Sequence, residues 1–358
     1  MAKDHPTPTG PIAPDLRILE TRVYRGPNVW SYEPAIHLVV DLGVLEGYPS
    51  DAIDGFTDAL VQLLPGLQRH TCSVGHPGGF IERLTDGTWL GHVAEHVALE
   101  LQTTAGHDLR RGKTRMVKGR PGVYNVVFGY VDETVGIAAG ELAVRVINHL
   151  VQPTEGFDFA EELDGFLRRA DRVAFGPSTA AIIEEAVSRD IPWLRLNSAS
   201  LVQLGQGVHA QRIRATMTSR TGALAVDIAS DKDLTGKLLS AAGLPTPKQQ
   251  AVRTRRGVLD AARQIGFPVV VKPLDGNHGR GVCLDLRSLD EVDKAYDIAQ
   301  EQSRSGVLIV ESFVTGRDYR CLIVGGRMQA IAERVPAHVV GDGEHTVKEL
   351  VDITNSDP

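Results

Sequence analysis

The stretch VVVKPLDGNHGRGV, residues 269–282, decides the fold of the second half of the chain. Its β-branched run predicts a buried strand that delivers Lys272 to a loop rich in glycine. Glycines let backbone N–H groups approach phosphate oxygens closely, and basic side chains add positive charge. The glycines of this loop are Gly276, Gly279 and Gly281. The basic residues are Lys272, Arg280 and His278.

Two common phosphate-binding motifs are excluded for this loop. The Walker pattern GxxxxGK[ST] is missing, and VCLDLRS, residues 282–288, predicts a strand where the dinucleotide fingerprint would continue into a helix. A glycine loop between two strands, used as a flap over phosphates, resembles the ATP-grasp fold. The fold class expected for the whole chain is therefore α/β.

Other stretches agree with this resemblance in their order. The helix that begins at Asp231 carries Lys232, the candidate for the first phosphate-binding lysine, with Lys237 as the alternative. VLIVESFV, residues 307–314, resembles the hinge strand that holds the adenine, and the GRDYR segment follows it. The resemblance assigns four residues of this region to the nucleotide: Glu311, Ser312, Val314 and Asp318.

The resemblance to ATP-grasp enzymes implies ATP and Mg²⁺ as cofactors and an ATP-dependent ligase activity. Such enzymes phosphorylate a carboxylate, and an amine then attacks the acyl phosphate to form an amide. Positive charge near the transferring phosphoryl group, here from Lys272, lowers the barrier. The Mg²⁺ ligands of the fold normally lie near its end, and we expect them beyond Pro358.

The first half of the chain carries a different motif, GHVAEHVALE, residues 91–100, within a helix that Gly87-Thr88 opens and Gly106 can end. His92 and His96 are four residues apart, so both imidazoles leave one helix face and can share one Zn²⁺. Glu95 is placed to act as a general base on a water at that metal, in the HxxEH order of inverted zincins.

A third metal ligand must come from elsewhere in the chain. Glu141, in the apolar helix VGIAAGELAVRV, is the candidate, and Glu82 and His107 are its rivals. Glu100 continues the histidine stripe, but it lies about 12 Å along the helix axis from His92, too far for shared coordination.

Composition and patterning divide the chain into four parts. Residues 1–15 have four prolines and no apolar core and predict a disordered tail, and residues 16–155 predict an α+β domain of two helices on a small sheet. We assign residues 156–225 to the first part of a ligase domain and residues 226–358 to an ATP-grasp region that is cut short.

Bulk composition narrows the class of protein. The net charge of −7 argues against a dedicated nucleic-acid binder, and three cysteines without CxxC spacing indicate a reduced compartment. Residues 1–14, MAKDHPTPTGPIAP, have no apolar core and predict neither a signal peptide nor a membrane anchor, and no apolar run is expected to reach the ~20 residues of a membrane helix. We therefore expect a cytoplasmic protein without membrane partners.

Several stretches together resemble the cyanophycin synthetase family in their order along the chain. They include GPNVWS from residue 26, GHVAEHVALELQ from 91, GPSTAAIIEEA from 176 and RVPAHVVGDGEHTV from 334. That family polymerises aspartate into a backbone and attaches arginine to each side-chain carboxylate. Two features depart from it: the proline-rich extension and DLTGKL, where a lysine usually follows the threonine.

The family resemblance implies partners and roles for this chain. The implied partners are ATP, aspartate, arginine and cyanophycin polymer, in a homotetramer. Arg334 would meet a polymer carboxylate in catalysis, and the HxxEH site would cut polymer to make primers. The basic stretch LRRGKTRMVKGR, residues 109–120, is either a polymer-docking patch or a solvated loop. The family also has a C-terminal Mur-ligase-like domain that adds arginine, and residues 16–358 are expected to correspond to the parts that precede it.

Two other functions stay open at this point. One is another ATP-grasp amino-acid ligase, such as a glutathione-synthetase-like enzyme. The other is a truncated, non-catalytic chain that only binds polymer.

Overall fold

The computed structural model describes residues 16–276 and 279–356, so the tail 1–15 and His278 lie outside the described residues. The chain divides into two compact units, with the boundary between Arg220 and Thr221. The stretch 156–220, which the sequence grouped with the ligase domain, belongs to the first unit.

The first unit alternates strands and helices. Its strands are β1 Arg17–Tyr24, β2 Ala35–Asp41, β3 Gly112–Met116, β4 Val123–Gly129, β5 Trp193–Arg195, β6 Leu201–Leu204, β7 Gln211–Arg214 and β8 Met217–Thr218. Its helices are α1 Phe56–Leu63, α2 Gly79–Thr85, α3 Leu90–Thr104, α4 Glu133–Val151, α5 Phe159–Val173 and α6 Pro177–Ser188.

The larger sheet of this unit has the order β1-β2-β4-β3, and all its neighbours are antiparallel. Alternation along β2 sets its two faces: Ile36, Leu38 and Val40 are buried in the main core, and Ile36 lies opposite Phe128 of β4. On the other face, His37 Nε2 lies 2.8 Å from the side-chain oxygen of Asn125.

Helices α3 and α4 pack on one face of this sheet, which confirms the predicted pair of helices on a small sheet. Small residues allow the close approach. A Cβ at Gly91 of α3 would lie 3.3 Å from Tyr124, and one at Gly140 of α4 would lie 2.7 Å from Leu38. Helix α3 carries His92, Glu95 and His96, so its position beside β3 sets the place of the candidate site.

Helix α4 is long and apolar enough to cross a membrane by length and composition, with a mean hydropathy of 1.3 over its best window. The expectation that no run reaches that length was therefore wrong for α4. The same window is 56% buried inside the protein, as in the core helix of a globular domain.

The smaller sheet of the first unit has the order β5-β6-β7-β8. A separate hydrophobic core lies between this sheet and α6, where Ile183 of α6 is buried with Val202 and Ile213 of the sheet. The side chain of Arg195 lies over the ring of Phe175, with its guanidinium carbon 4.0 Å from the ring centroid.

The second unit also alternates helices and strands. Its strands are β9 Gln249–Val252, β10 Val269–Pro273, β11 Cys283–Leu286, β12 Leu308–Ser312, β13 Tyr319–Val324 and β14 Arg327–Glu333. Its helices are α7 Ala223–Ser230, α8 Lys232–Ala241, α9 Arg255–Ile265, α10 Leu289–Gln302 and α11 Val347–Ser356.

The sheet of the second unit has the antiparallel order β11-β10-β12-β9, with β13 and β14 forming a separate hairpin. Val269 and Val271 are buried with Val258 of α9 and Val292 of α10, so the two helices cover one face of the sheet. The glycine loop joins β10 to β11, as the sequence predicts, and residues 279–281 lie at its end. The observed architecture confirms the α/β class.

Candidate functional site

Two lysines meet beside the glycine loop of the second unit. Lys272, near the end of β10, places its Nζ 2.6 Å from Oε1 of Glu311 on the neighbouring β12. Lys232, at the first position of α8, donates from Nζ to the carbonyl oxygen of Gly276 at 2.5 Å. Asp231 caps that helix, its side chain accepting from the backbone N–H groups of Asp233 and Leu234.

The surroundings of Lys232 disfavour its charged form. Partial burial lowers the pKa of Lys232, and the positive charge of Lys272 lowers it further. Lys237, the alternative, lies elsewhere on α8, where its side chain is 69% exposed and its Nζ pairs with Asp233. The structure thus brings Lys232, and not Lys237, to the loop.

The loop itself is shaped by its glycines. Gly279 and Gly281 have φ of 73° and 68°, a left-handed conformation that favours glycine. At Gly281 a Cβ would lie 2.8 Å from Cβ of Gln302, so the position also lacks room for a side chain. A Cβ at Gly276 would lie 3.1 Å from Cβ of Pro273. The glycines therefore allow the tight path of the loop, and Gly276 supplies the carbonyl oxygen that accepts from Lys232.

The remaining residues assigned to the nucleotide follow β12. Ser312 is used by the fold, because its backbone N–H donates to the carbonyl of Lys248 at 2.9 Å and its Oγ accepts from the N–H of Lys248 at 3.1 Å. Val314 is 68% exposed, and Asp318 is exposed at the start of the β13–β14 hairpin. The carbonyl of Asp318 accepts from the N–H of Arg334 at 2.7 Å, which places the predicted Arg334 beside it.

The first unit holds a cluster of histidines on α3. His92 and His96 lie with their ring centroids 4.8 Å apart, and Phe80 of α2 stacks on His96 at 3.9 Å. The sulfur of Cys72 lies 3.3 Å from Nε2 of His92. One donor atom from each of Cys72, His92 and His96 falls within 4.8 Å of the others.

His70 extends the cluster toward the C-terminal half of α3. Its Nδ1 lies 2.8 Å from Nδ1 of His96, and its Nε2 lies 2.9 Å from Oε2 of Glu100. Cys72 and His70 were both missed by the sequence reasoning. They come from irregular segments about twenty residues before α3, and no motif spacing connects them to HxxEH.

Burial keeps both HxxEH histidines neutral. It lowers the pKa of His92 to about 4, with a further contribution from the positive charge of Arg83. It also lowers the pKa of His96 to about 2, and His92 and His70 add to the effect. Neutral imidazole is the form that binds metals.

Glu95 sits behind the two histidines and is only 4% exposed. Its Oε2 accepts from Oγ1 of Thr114 on β3 at 2.6 Å, and burial raises its pKa to about 7. A Cβ at Gly112 would lie 2.3 Å from Oε1 of Glu95, so the missing side chain there leaves room for the carboxylate. No sequence pattern indicates this requirement at Gly112.

The structure does not bring Glu141 to the histidines, and this candidate third ligand is corrected. Glu141 is exposed on α4, because the apolar stripe of that helix faces the core, and it lines a different pocket with Arg145 and Glu162. Its rivals do not join the histidines either. Glu82 is exposed and lies 3.5 Å from His76, and His107 lies beyond the end of α3 and outside the group of donor atoms.

A cavity of about 720 Å³ opens over this cluster. His92, Glu95 and His96 form part of its wall. The wall also carries four basic side chains: Arg69, Arg83, Arg110 and Lys113. Two of these, Arg110 and Lys113, come from the basic stretch 109–120. The arrangement combines potential metal ligands, a buried carboxylate and cations suited to an acidic ligand.

Family models match both units. Residues 37–152 match the cyanophycin synthase-like N-terminal domain, and residues 237–324 match the ATP-grasp domain. The site in the first unit thus lies within the first match, and Lys272 and Glu311 lie within the second.

Curated relatives match nearly the whole chain. A cyanophycin synthetase from Crocosphaera subtropica is 45% identical over 350 residues, covering 96% of this chain and 40% of that protein. One from a Nostoc species is 44% identical over 351 residues, covering 96% and 38%. The chain therefore spans about 40% of the length of these relatives.

A second group of relatives matches a shorter part. A glutathione biosynthesis bifunctional protein from Streptococcus thermophilus is 31% identical over 186 residues, which is 51% of this chain.

Among solved structures, a bifunctional glutathione synthetase from Pasteurella multocida covers 90% of this chain and 63% of its own at 16% identity and a TM-score of 0.36.

Proposed function

We propose that this chain takes part in cyanophycin synthesis. Residues 37–152 match the cyanophycin synthase-like N-terminal domain, and residues 237–324 match the ATP-grasp domain. The chain's second unit would supply ATP-dependent amide ligation, and its first unit would bind and cut the polymer. The 45% identity to a cyanophycin synthetase over 96% of the chain favours this function over glutathione-type ligation, whose relative matches 51% of it.

The observation that carries the ligase assignment is the meeting of Lys232 and Lys272 at the glycine loop. Two neighbouring ammonium groups, one of them with a lowered pKa, form a receptor for a polyanion such as the phosphates of ATP. Glu311, paired with Lys272 at 2.6 Å, holds that ammonium in place on the sheet. These residues therefore fit a nucleoside triphosphate.

The ligation step follows from this charge arrangement. A carboxylate oxygen at the polymer end attacks the γ-phosphorus of ATP, and ADP leaves with the electron pair of the broken P–O bond. The amine of aspartate then attacks the acyl carbon, releasing phosphate and a proton as the amide forms. Lys272 and Lys232 stabilise the negative charge that develops on the phosphoryl oxygens. Mg²⁺, when bound, neutralises part of the same charge.

Arg334 is proposed to meet the polymer carboxylate. It directly follows β14, and its backbone N–H is fixed by the carbonyl of Asp318 at 2.7 Å. The side chain is exposed, and a guanidinium pairs well with a carboxylate through two parallel hydrogen bonds. The role would be to hold the chain end for phosphorylation.

Polymer cleavage is proposed for the first unit. The donor set fits a zinc ion, because His92 and His96 are neutral, close together and on one helix face. Zinc, when bound, polarises water and the amide carbonyl. Glu95, buried and with its pKa raised to about 7, accepts a proton and returns it to the leaving amine. Each internal cut creates a new chain end for the ligase.

A substrate panel tests the ligase function. The purified chain is incubated with ATP and Mg²⁺, and ADP release is measured with cyanophycin plus aspartate, with each alone, and with γ-glutamylcysteine plus glycine. We expect release only with cyanophycin and aspartate together. Release with the glutathione precursors instead would support the alternative ligase.

Polymer cleavage is tested separately. Chelator-treated chain should lose the ability to shorten cyanophycin and regain it when zinc is added back. Cleavage that is unaffected by chelation would contradict the metal-dependent role.

We also propose that the chain works as a cytoplasmic homotetramer, as the family resemblance implies. Light scattering on the purified chain measures the assembly, and a monomer at all concentrations would contradict it.

A further inference from the structure

Helix α8 carries Lys232 but has little apolar packing of its own. None of its ten residues, all of which the structure describes, is buried, and its leucines Leu234 and Leu238 are exposed. Packing of an apolar face is the usual source of a fixed helix position in a folded protein. Polar contacts therefore have a large part in fixing the place of α8 beside the sheet.

Gln249, the first residue of β9, makes such a contact. Its side-chain Nε2 donates to the backbone carbonyl oxygen of Lys232 at 3.1 Å, and the carbonyl oxygen of Asp233 lies 3.4 Å from the same nitrogen. The side chain is half-buried, and a carbonyl oxygen has two lone pairs, so this bond adds to the bonds within the helix. The first turn of α8 is thus tied to the sheet at the residue that carries the ammonium group.

The glycine at position 236 makes room for this contact. A Cβ at Gly236 would lie 2.2 Å from Nε2 and 2.8 Å from Cδ of Gln249, so the amide lies directly against the helix there. The backbone at Gly236 is helical, where glycine is less favourable than alanine, and its conformation does not require glycine.

Position 236 is also where DLTGKL departs from the family pattern, in which a lysine usually follows the threonine. A side chain at this position and the amide of Gln249 would occupy the same space. The departure and the contact made by Gln249 are therefore linked.

The strand register connects the same glutamine to the second lysine. Gln249 of β9 lies directly opposite Glu311 of β12, and Oε1 of Glu311 accepts from Nζ of Lys272 at 2.6 Å. Side chains directly opposite each other on neighbouring strands are close in space. One cross-strand pair thus holds α8 through Gln249 and the ammonium of Lys272 through Glu311.

We propose that Gln249 is a positioning residue for ATP, which holds Lys232 at the glycine loop and at a fixed separation from Lys272, and that the glycine at 236 is needed for this role. This inference rests on the ATP-binding part of the proposed function. Two ammonium groups bind a chain of phosphates more tightly when their spacing is fixed in advance, because less conformational freedom is lost on binding. Gln249 acts through Lys232 and is assigned no contact with the nucleotide.

Nucleotide affinity tests the role of Gln249. The Kd of the full chain for ATP with Mg²⁺ and the Kd for adenosine are measured by titration calorimetry. Gln249→Met keeps the length of the side chain but loses the donor, so the Kd for ATP should rise about 2- to 12-fold, the factor that one neutral hydrogen bond contributes. The Kd for adenosine, which has no phosphates to meet Lys232, should stay the same.

Gln250→Met is the matched control at the next residue of β9. Nε2 of Gln250 donates to Oε1 of Gln264 at 2.9 Å and makes no contact with α8, so ATP affinity should be that of the wild type. In Lys232→Met, the addition of Gln249→Met should cause no further loss of ATP affinity, because the ammonium through which Gln249 acts is already gone.

Gly236→Ala separates positioning from stability. Its Cβ displaces the amide of Gln249, so ATP affinity should fall as it does in Gln249→Met. Urea unfolding should show no loss of stability, because alanine favours the helix more than glycine does.

Two results would overturn the inference and leave the proposed function intact, provided that Lys232→Met still weakens ATP binding. One is an ATP affinity that is unchanged in Gln249→Met, and the other is a loss of equal size for adenosine. A wild type that binds no ATP would overturn the inference together with the proposed function.

Discussion

Replacing Lys272 by methionine removes the ammonium group at the glycine loop while keeping most of the side-chain volume. The side chains of Lys272 and Glu311 are 21% and 15% exposed, so a phosphate contact there is only partly screened by water. A charge-assisted hydrogen bond contributes about 1.5–3 kcal/mol, so the Kd for ATP should rise roughly 10- to 150-fold.

The same substitution leaves Glu311 without its partner at 2.6 Å. An unsatisfied, largely buried group costs about 1–3 kcal/mol, so the free energy of unfolding should fall by that amount. Titration calorimetry with ATP and Mg²⁺ measures the affinity, and urea unfolding measures the stability. ATP affinity is measured at urea concentrations well below the unfolding transition, so that the loss of affinity is separated from the loss of stability.

Lys237→Met is the matched control on the neighbouring helix. Its side chain is 69% exposed and pairs with Asp233, an interaction expected to contribute less than about 0.5 kcal/mol. ATP affinity should therefore stay the same, whereas Lys232→Met should weaken it as Lys272→Met does. Unchanged affinity in Lys272→Met, or a loss in Lys237→Met, would refute the assignment of the phosphate site.

Three further predictions concern the two proposed activities. Glu95→Gln keeps the shape of the buried side chain but loses the base, so polymer cleavage should fall about 10²–10⁴-fold. ATP-dependent elongation of added primer should be unchanged, and cleavage at the full rate would contradict the role of Glu95 as a general base. Gly112→Ala places a Cβ 2.3 Å from Oε1 of Glu95 and should displace it, lowering cleavage about 10²-fold, whereas the control Gly26→Ala, where nothing lies within 4 Å, should have no effect. Arg334→Ala should raise the KM for polymer about 10-fold or more with the KM for ATP unchanged, and an unaltered polymer KM would remove Arg334 from the site.

Local patterns in the sequence predict much of this fold. The apolar periodicity around GHVAEHVALE, bounded by Gly87 and Gly106, predicts the helix that the structure has at Leu90–Thr104. The β-branched run before Lys272 predicts β10, and the glycines after it predict the turn to β11. These features depend on neighbours within a few residues, which the sequence displays directly.

Contacts between distant segments could not be predicted in the same way. Cys72 lies in one 3-10 turn and His70 directly follows another, and no spacing rule encodes the path of these turns between α1 and α2. The position of Glu141 on a second helix makes it a candidate ligand, but the periodicity of α4 does not reveal whether the face that carries Glu141 borders the histidines. The role of Gly112 depends on the position of Glu95, more than fifteen residues away along the chain.

Product analysis of primer elongation measures most directly whether this chain is an ATP-dependent ligase of cyanophycin. The purified chain is incubated with a cyanophycin primer of defined length, ATP, Mg²⁺ and aspartate, and the primer mass and the ADP formed are measured together. We expect a primer longer by one aspartyl residue for each ADP formed, and no product with Lys272→Met. ADP formed with no change in primer mass, or elongation that proceeds without ATP, would contradict it.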